Sequence, residues 1–482
     1  MKLEKRSSFF KLIPFAFILL FIGGYFIYCS ESGTEKSEGK KQSSTDDEDK
    51  DGEEKDDDDE VEKPFVDESC GTHLGDESAF ASVPALEPMT PEDLLGDNPQ
   101  PKNIHLSWQS EPSISITAVW QTADSSAEKM TKSTVLRISK QSDMSDYIEI
   151  NSKNRGKMIG SALVLPFNDD FKTIHIAEIC GLEPETEYFY QVGGVSEKGE
   201  KAFSDIYSFK TAPDPRKPQE SYKFKFIVLG DSRTDYDKWQ EVIVAAAKED
   251  PAFILHTGDF VESGGNQGDW EIWFEKAKDA LVKYPLIASH GNHEWNHEYY
   301  YAQFAFPENE QWFSLNYANL HLTVLNDFLL GKLGKLGSIS EEQVEFLAAD
   351  LSATDRIWKT VMHHQPLYSA SNHGSNETLQ KAWESIYNDH SVKFVFNGHD
   401  HNYERTFPIK GGGLAEPPLE GTVYFVAGGA GAPLYDSGSE WFTAKSAKEY
   451  HYILAVIEGK KISFTAKKPD GAILDTYEYS LE

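Results

Sequence analysis

Five short motifs, each placed where a predicted strand ends, constrain the fold of this 482-residue chain more than any other feature. They are Gly230-Asp231, Gly258-Asp259, Gly291-Asn292-His293-Glu294, Val361-Met362-His363-His364 and Gly398-His399-Asp400-His401. In an open α/β sheet, ligand sites form at the carboxyl ends of the strands. Glycine permits the sharp turn that lets the next side chain point into a shared site. The motifs therefore predict an α/β domain with one polar site at its strand ends.

The chain from residue 222 onward alternates between strand and helix patterns. Residues 224–229 form a continuous apolar run, as expected for a buried strand, and residues 237–248 place apolar side chains on one helical face. Ser340 and Gln343 form a capping box that opens another helix. Helices packed on two sheets predict a four-layer α/β/β/α sandwich for residues 222–482.

Residues 101–213 have a different pattern, with short alternating strands separated by turns. Short strands at this spacing indicate a small all-β sandwich. Residues 182–190 resemble the tyrosine-bearing strand of fibronectin type III modules. Three prolines between residues 213 and 218 indicate a linker to the following domain.

The first 29 residues have the layout of an export signal. Four basic side chains precede an uncharged run at residues 12–28. The run predicts either an uncleaved membrane anchor or a signal peptide cleaved before a lipid-modified Cys29, although Tyr28 is not the small residue that such lipoprotein signals prefer. In either case we expect the rest of the chain outside the cytoplasm, either membrane-anchored or secreted.

Residues 30–100 begin with an acidic stretch that has almost no apolar side chains. Such a stretch cannot bury enough surface to order itself, which predicts a disordered spacer followed by a transition segment. The net charge of −33 argues against nucleic acid as a partner. Cys70 and Cys180 are either a disulfide, as an oxidising compartment allows, or two separate thiols.

The five motifs also contain side chains that are typical metal ligands. They are Asp231, Asp259, Asn292, His364, His399 and His401. Carboxylate and amide oxygens combined with imidazoles suit Fe, Zn or Mn better than Ca or Mg alone. A single Gly-Asp pair usually marks only a turn, so the prediction of a metal site depends on the ordered set.

As an ordered set, the motifs resemble those of the calcineurin-like metallophosphoesterases, specifically those related to purple acid phosphatases. The resemblance covers about residues 101–480 and includes Gly-His-Asp-His-Asn-Tyr-Glu-Arg (398–405), His-Gln-Pro-Leu-Tyr (364–368) and Ala-Gly-Gly-Ala-Gly-Ala-Pro-Leu-Tyr (427–435). It implies an enzyme that acts on a small phosphorylated substrate with two metal ions, Fe, Zn or Mn.

The resemblance assigns each ligand to a metal. It implies that Asp259 bridges the two ions. The implied further ligands are Asp231 and His401 for the first metal, and Asn292, His364 and His399 for the second. We expect His363 to point to the opposite face of its strand.

The resemblance also implies residues that act on the substrate. A metal lowers the pKa of bound water and so supplies a hydroxide for in-line attack. His293 resembles the family's phosphate-contacting histidine, and His373 resembles its proton donor to the leaving oxygen. Asn292 and Arg233 are further candidate substrate contacts. We expect Glu294 to orient an imidazole.

Two positions depart from the family pattern. Purple acid phosphatases have a metal-binding tyrosine three residues after the bridging aspartate, where this chain has Glu262. Arg233 occupies the place of a glycine or a ligating histidine, and arginine cannot ligate a metal. Glu262 is either itself a ligand or faces solvent, and Arg233 either contacts the phosphate or balances the carboxylates. We therefore expect the first metal to have fewer ligands than the second and to be weakly bound or exchangeable.

Three functions are compatible with the motifs. The first is an acid phosphatase-like phosphomonoesterase, which the intact ligands of the second metal favour. The alternatives are a phosphodiesterase of the same fold and a non-catalytic tethered binding protein with a degenerate metal site. Tyr403 and Arg405 either line the site or, for Arg405, form a structural ion pair. The sequence indicates no oligomeric state.

Overall fold

The computed structural model describes residues 95–124, 131, 134–158, 171–195, 200–328 and 339–482. The predicted export segment, Cys29, Cys70 and most of the predicted spacer lie outside these residues. Cys180 is disulfide-bonded. Within the described ranges, no helix is long and apolar enough to cross a membrane.

The first domain consists of nine antiparallel strands in two sheets. The strands are β1 Lys102–Ser107, β2 Ser115–Asp124, β3 Val135–Ser139, β4 Ile148–Asn151, β5 Lys153–Met158, β6 Phe171–Cys180, β7 Glu187–Val195, β8 Lys201–Phe203 and β9 Tyr207–Lys210. One sheet has the order β1-β2-β6-β5, and the other has the order β4-β3-β7-β8 with β9 also paired to β7. The hydroxyl of Tyr188 on β7 accepts a hydrogen bond from the Glu183 amide, 2.9 Å away, which ties the strand to the turn before it. The predicted β-sandwich is confirmed.

The second domain contains the remaining strands and all six α-helices of the described residues. Its strands are β10 Lys223–Leu229, β11 Ile254–His256, β12 Leu286–Ala288, β13 Phe313–Tyr317, β14 Leu320–Val324, β15 Trp358–Met362, β16 Phe394–Asn397, β17 Tyr403–Thr406, β18 Ile409–Lys410, β19 Gly413–Leu414, β20 Val423–Ala427, β21 Thr443–Ala447, β22 Tyr452–Glu458, β23 Lys461–Lys467 and β24 Ile473–Ser480. Its helices are α1 Tyr236–Ala247, α2 Gln267–Leu281, α3 Glu298–Gln303, α4 Glu341–Ala353, α5 Glu377–Leu379 and α6 Ser385–Asp389. A π-helical turn, Gln380–Glu384, joins α5 to α6.

These strands form two large mixed sheets. One has the order β12-β11-β10-β22-β23-β24, and the other has the order β13-β14-β15-β16-β20-β17-β21. Alternate side chains of β15 and β16 face opposite sides of the second sheet. Met362 and Phe396 belong to the core between the sheets, whereas Val361 and Val395 pack with residues of α4 and of the helical segment 377–389. The other sheet is covered by α1 and α2, whose Trp239 and Trp273 rings stack 5.2 Å apart. The four-layer α/β/β/α sandwich is confirmed.

Candidate metal centre

The five motifs meet because they follow strands that run in the same direction. β10, β11 and β12 are parallel in one sheet, and β15 and β16 are parallel in the other. Asp231, Asp259 and His399 each follow a glycine and have left-handed backbone conformations, with φ of 55°, 56° and 70°. Such a conformation costs a non-glycine residue about 1 kcal/mol or more, and it concentrates at functional sites.

At two motif positions only glycine fits, because atoms of the candidate ligands lie close to its backbone. A Cβ atom at Gly398 would lie 2.3 Å from Oδ2 of Asp231, and one at Gly291 would lie 2.2 Å from the backbone nitrogen of Asp259. These contacts are far shorter than van der Waals distances, so a side chain at either position would displace a candidate ligand.

One group of candidate ligands, here called the first position, comprises Asp231, Asp259 and His401. All three side chains are buried, and their ligand atoms lie within 4.8 Å of one another. Nδ1 of His401 lies 2.8 Å from the carbonyl of Pro433, and the ring stacks on Tyr435 with centroids 4.0 Å apart. With the Nδ1 proton donated to Pro433, the Nε2 lone pair of His401 faces the carboxylates.

A second group, here called the second position, shares Asp259 with the first. Oδ1 of Asn292 lies 3.0 Å from Nε2 of His364 and 2.9 Å from Nδ1 of His399. Nε2 of His364 is also 3.3 Å from Oδ1 of Asp259, while its Nδ1 contacts the carbonyl of Thr257 at 2.8 Å. The structure therefore brings all six sequence-predicted ligands together around two adjacent points.

Burial and mutual charge shift the protonation of this centre. Burial raises the pKa of Asp231 to about 8, while His364 opposes the shift. Although burial opposes it, Asp259 raises the pKa of His364 to about 10. Burial, with a further contribution from His364, lowers the pKa of His399 to about 3, and burial lowers that of His401 to about 4. His399 and His401 are therefore neutral near pH 7 and have ring nitrogen lone pairs for a cation.

The donor set fits a borderline divalent or trivalent metal. Carboxylate and amide oxygens converge with imidazole nitrogens, and backbone carbonyls hold the distal nitrogens of His364 and His401. Carbonyl partners of this kind fix the tautomer of metal-binding histidines. The other nitrogen of His364, Nε2, faces Asn292 and Asp259, and a bound cation would replace the proton on it.

Arg233 lies against the first position. Its Nε is 3.5 Å from Oδ2 of Asp259, and its Nη2 is 3.4 Å from Nε2 of His401. Its Nη1 pairs with Oε2 of Glu262 at 2.7 Å, and Oε2 also accepts the hydroxyl proton of Thr234. Glu262 therefore pairs with Arg233, and the arginine balances the carboxylates of the centre.

His293 lies at the rim of the centre beside Asp259, and His373 lies at the rim beside His399. Nδ1 of His293 is 2.7 Å from the carbonyl of Glu262, and its Nε2 is 3.9 Å from Oδ2 of Asp259. The His373 ring stacks on that of His399 with centroids 4.1 Å apart. Both histidines are partly exposed and can reach a substrate bound over the metal positions.

Asp400 is a functional residue that the sequence analysis did not single out. Its Oδ1 lies 3.0 Å from Nδ1 of His373, and its Oδ2 accepts the hydroxyl proton of Ser369. The carboxylate thus holds His373 with Nε2 directed away from Asp400. Its place between two ligand histidines was the available signal, but contact with a residue 27 positions earlier depends on the fold.

The prediction for Glu294 was wrong. Its buried carboxylate contacts no imidazole and instead accepts backbone hydrogen bonds. The donors are the amides of Asp259, Phe260, Val261 and Gly291, at 3.0, 2.9, 3.4 and 2.9 Å. Glu294 therefore joins the loops after β11 and β12, which carry Asp259 and Asn292.

Three neighbouring residues point away from the centre. Nδ1 of His363 pairs with the buried Asp327 at 3.2 Å, and its ring packs against Trp383 on the helical side of the sheet. Tyr403 and Arg405 both contact Asp475, at 2.8 and 2.7 Å. Arg405 therefore forms a structural ion pair, and neither residue lines the centre.

Two family models match the chain. The model for calcineurin-like phosphoesterases matches residues 224–403, and the model for the purple acid phosphatase N-terminal domain matches residues 101–211. The fold and the polar site at its strand ends define a metallophosphoesterase, a hydrolase of phosphoric esters. The chain therefore contains a calcineurin-like metallophosphoesterase domain preceded by a purple acid phosphatase N-terminal domain.

Three of the curated relatives are proteins of Arabidopsis thaliana. Purple acid phosphatase 15 is 25% identical in an alignment of 429 positions that covers 77% of this chain and 75% of the relative. Purple acid phosphatase 21 is 29% identical over 49% of this chain and 54% of the relative. Probable inactive purple acid phosphatase 1 is 26% identical over 64% of this chain and 57% of the relative. The chain thus spans between about half and three quarters of these relatives, and their names include both active and inactive proteins.

Two solved structures share the fold. Purple acid phosphatase PPD1 from yellow lupin seeds superposes with a TM-score of 0.65 at 19% identity, covering 80% of this chain and 75% of the lupin chain. PhoD superposes with a TM-score of 0.57 at 11% identity, covering 82% of this chain and 92% of the other. At these identities the likeness extends to the fold alone.

Proposed function

We propose that this protein hydrolyses phosphate monoesters at a two-metal centre. The observation that carries the proposal is the convergence of six metal-binding side chains on two positions that share Asp259. Asp231 and His401 complete the first position, and Asn292, His364 and His399 complete the second. When bound, the metals would supply Lewis acidity and a lowered pKa of water for attack on phosphorus.

The surrounding side chains have distinct tasks in this proposal. Nδ1 of His293 contacts the carbonyl of Glu262, so Nε2 is the nitrogen that faces a phosphate oxygen bound beside Asp259. Arg233 adds a fixed positive charge beside Asp259. Both groups stabilise the negative charge of the transferring phosphoryl. His373, held by Asp400, donates its Nε2 proton to the leaving oxygen.

The test is hydrolysis of p-nitrophenyl phosphate and its diester by residues 65–482, with and without chelator. We expect chelator-sensitive hydrolysis that prefers the monoester. Asp259→Ala removes the shared ligand and should abolish turnover, whereas Asp279→Ala, on the exposed side of α2, should leave it unchanged. Undiminished turnover in Asp259→Ala would exclude the bridging role. Preference for the diester would instead assign the protein to the phosphodiesterases.

A second candidate function is a non-catalytic binding protein. The Arg233–Glu262 pair beside the first position favours it, as do relatives named probable inactive purple acid phosphatases. In that case Asn292→Ala would lower the metal content, but neither ester would be hydrolysed with any added Fe, Zn or Mn.

We also propose that the protein acts outside the cytoplasm, tethered by its N-terminal segment. The disulfide at Cys180 supports this, because such bonds persist mainly in oxidising compartments. Proteolysis of intact cells should release the phosphatase domain from the wild type, while a chain lacking residues 1–29 should remain inside and resist the protease.

A further inference from the structure

Three contacts of Arg233 involve groups of the first position or its rim. Nε approaches Asp259, Nη2 approaches Nε2 of His401, and Nη1 binds Glu262. The Arg233 side chain is only 11% exposed, so its charge lies within the centre rather than above it.

The first position offers a metal only the atoms that Arg233 already contacts and the carboxylate of Asp231. His401 cannot present its other nitrogen, since Nδ1 binds the carbonyl of Pro433 and Tyr435 covers the ring. Nη2–H of Arg233 points at the Nε2 lone pair. A metal and the guanidinium therefore compete for the same lone pair and for the same carboxylate.

Among the described residues, the second position has no such competitor. Of the side chains that the structure describes, no lysine or arginine is hydrogen-bonded or ion-paired to Asn292, His364 or His399. The two positions share Asp259, but the permanent positive charge of Arg233 lies beside the first position.

Glu262 keeps the guanidinium in this place. Its Oε2 accepts from Nη1 of Arg233 and from the hydroxyl of Thr234, and Nη1 also donates to that hydroxyl at 3.2 Å. The planar guanidinium is thus held at two nitrogens, one at the rim and one at His401, which fixes its orientation toward Asp259.

We propose that Arg233, anchored by Glu262, makes the two metal positions unequal. The second position binds its metal tightly, and the first binds weakly and exchangeably because the guanidinium competes for His401 and Asp259. This inference depends on the proposed two-metal centre, and it assigns to Arg233 the control of metal occupancy at the first position.

The experiment is a Mn²⁺ titration of chelator-treated residues 65–482, followed by calorimetry and electron paramagnetic resonance. The wild type should retain about one ion per chain after desalting, with an isolated-ion spectrum, and bind the next at least about tenfold more weakly. Asn292→Ala should lose the tight ion, and His401→Ala should keep it.

Arg233→Met, an uncharged side chain of similar length, should tighten the weak binding at least about tenfold and give an exchange-coupled spectrum at two equivalents. Arg216→Met, in the interdomain linker, is the matched control and should behave as the wild type.

Two wild-type ions of equal affinity would overturn the inference, as would a folded Arg233→Met whose weaker affinity is unchanged. Neither result concerns hydrolysis. A wild type that cleaves esters with two equally tight ions would refute the inference alone. A wild type that binds one tight and one weak ion, but hydrolyses neither ester when both positions are filled, would refute the proposed function alone.

Discussion

At the scale of single residues, the centre depends on groups that sit behind the candidate ligands. The carbonyls of Thr257 and Pro433 hold the far nitrogens of His364 and His401, and Asp400 does the same for His373. Each contact occupies one ring nitrogen, which leaves the other nitrogen to face the centre.

Replacing His373 should slow the hydrolysis of poor leaving groups most. General acid catalysis contributes about a hundredfold or more where the leaving oxygen needs a proton, and much less for p-nitrophenolate. We expect His373→Ala to slow an alkyl phosphate about a hundredfold to a thousandfold and p-nitrophenyl phosphate less than about tenfold. Asp400→Asn should show the same pattern more weakly. Equal losses on both substrates, measured as kcat, would contradict the proton-donor role.

Replacing Glu294 should destabilise the protein. Glutamine at this position sets an NH₂ group against backbone N–H donors, which costs about 2 kcal/mol or more for unmet buried polar groups. We expect Glu294→Gln to lower the free energy of unfolding by that amount in urea titrations. Glu345→Gln, on the exposed face of α4, is the control and should be neutral within about 0.5 kcal/mol. A Glu294→Gln variant as stable as its control would exclude the loop-joining role.

At the scale of elements, the turns after the strands position the ligands. Three of these turns place a left-handed residue directly after a glycine, and the parallel strands bring the turns to one edge. The sequence predicted β10, β11, β15 and β16 from their apolar runs. It did not predict β13 and β14, whose hairpin is recognisable only from its pairing, Phe313 with Val324 and Tyr317 with Leu320.

Alanine at Gly398 should disturb the strand-end turn. Its Cβ would lie 2.3 Å from Oδ2 of Asp231, so the ligand or the turn must move, at a cost of about 1–3 kcal/mol. Gly413→Ala provides the comparison, because no atom lies within 4 Å of the added Cβ. We expect Gly398→Ala alone to lose thermal stability and Mn²⁺ affinity. Retention of both properties would contradict the close approach.

At the scale of the whole molecule, β1 of the sandwich docks on the second domain near α3. Nε2 of His105 lies 2.7 Å from the carbonyl of Gln303, and its ring stacks on Phe274 of α2. The Ser107 hydroxyl donates to the carbonyl of Ala305 at 2.6 Å. These buried polar contacts hold the sandwich in one orientation.

Acid should weaken this interface through His105. Burial lowers its pKa to about 4, against about 6.5 in an unfolded chain. Between these values the unfolded state takes up a proton that the folded state refuses, so stability is lost as the pH falls from about 6.5 to about 4. The full effect is about 3 kcal/mol. In urea unfolding at several pH values, His105→Gln should reduce the loss, whereas His390→Gln should not. An unchanged pH dependence in His105→Gln would contradict the assignment.

The sequence alone determined the two-domain architecture and the six candidate ligands. Strands are recognisable from apolar runs and from alternation of apolar and polar residues. A glycine before a polar residue indicates a sharp turn of the backbone at that point. These are properties of near neighbours along the chain, so Asp231, Asp259, Asn292 and the histidines were visible without coordinates.

Only the tertiary structure decided which groups stand behind those ligands. Glu294 binds backbone amides rather than an imidazole, Asp400 holds His373, and Arg233 contacts His401, a residue 168 positions away. Such contacts join distant segments through side-chain directions that no local pattern encodes. These contacts form because the two sheets meet at one edge. There, charged side chains from different strands are buried next to one another.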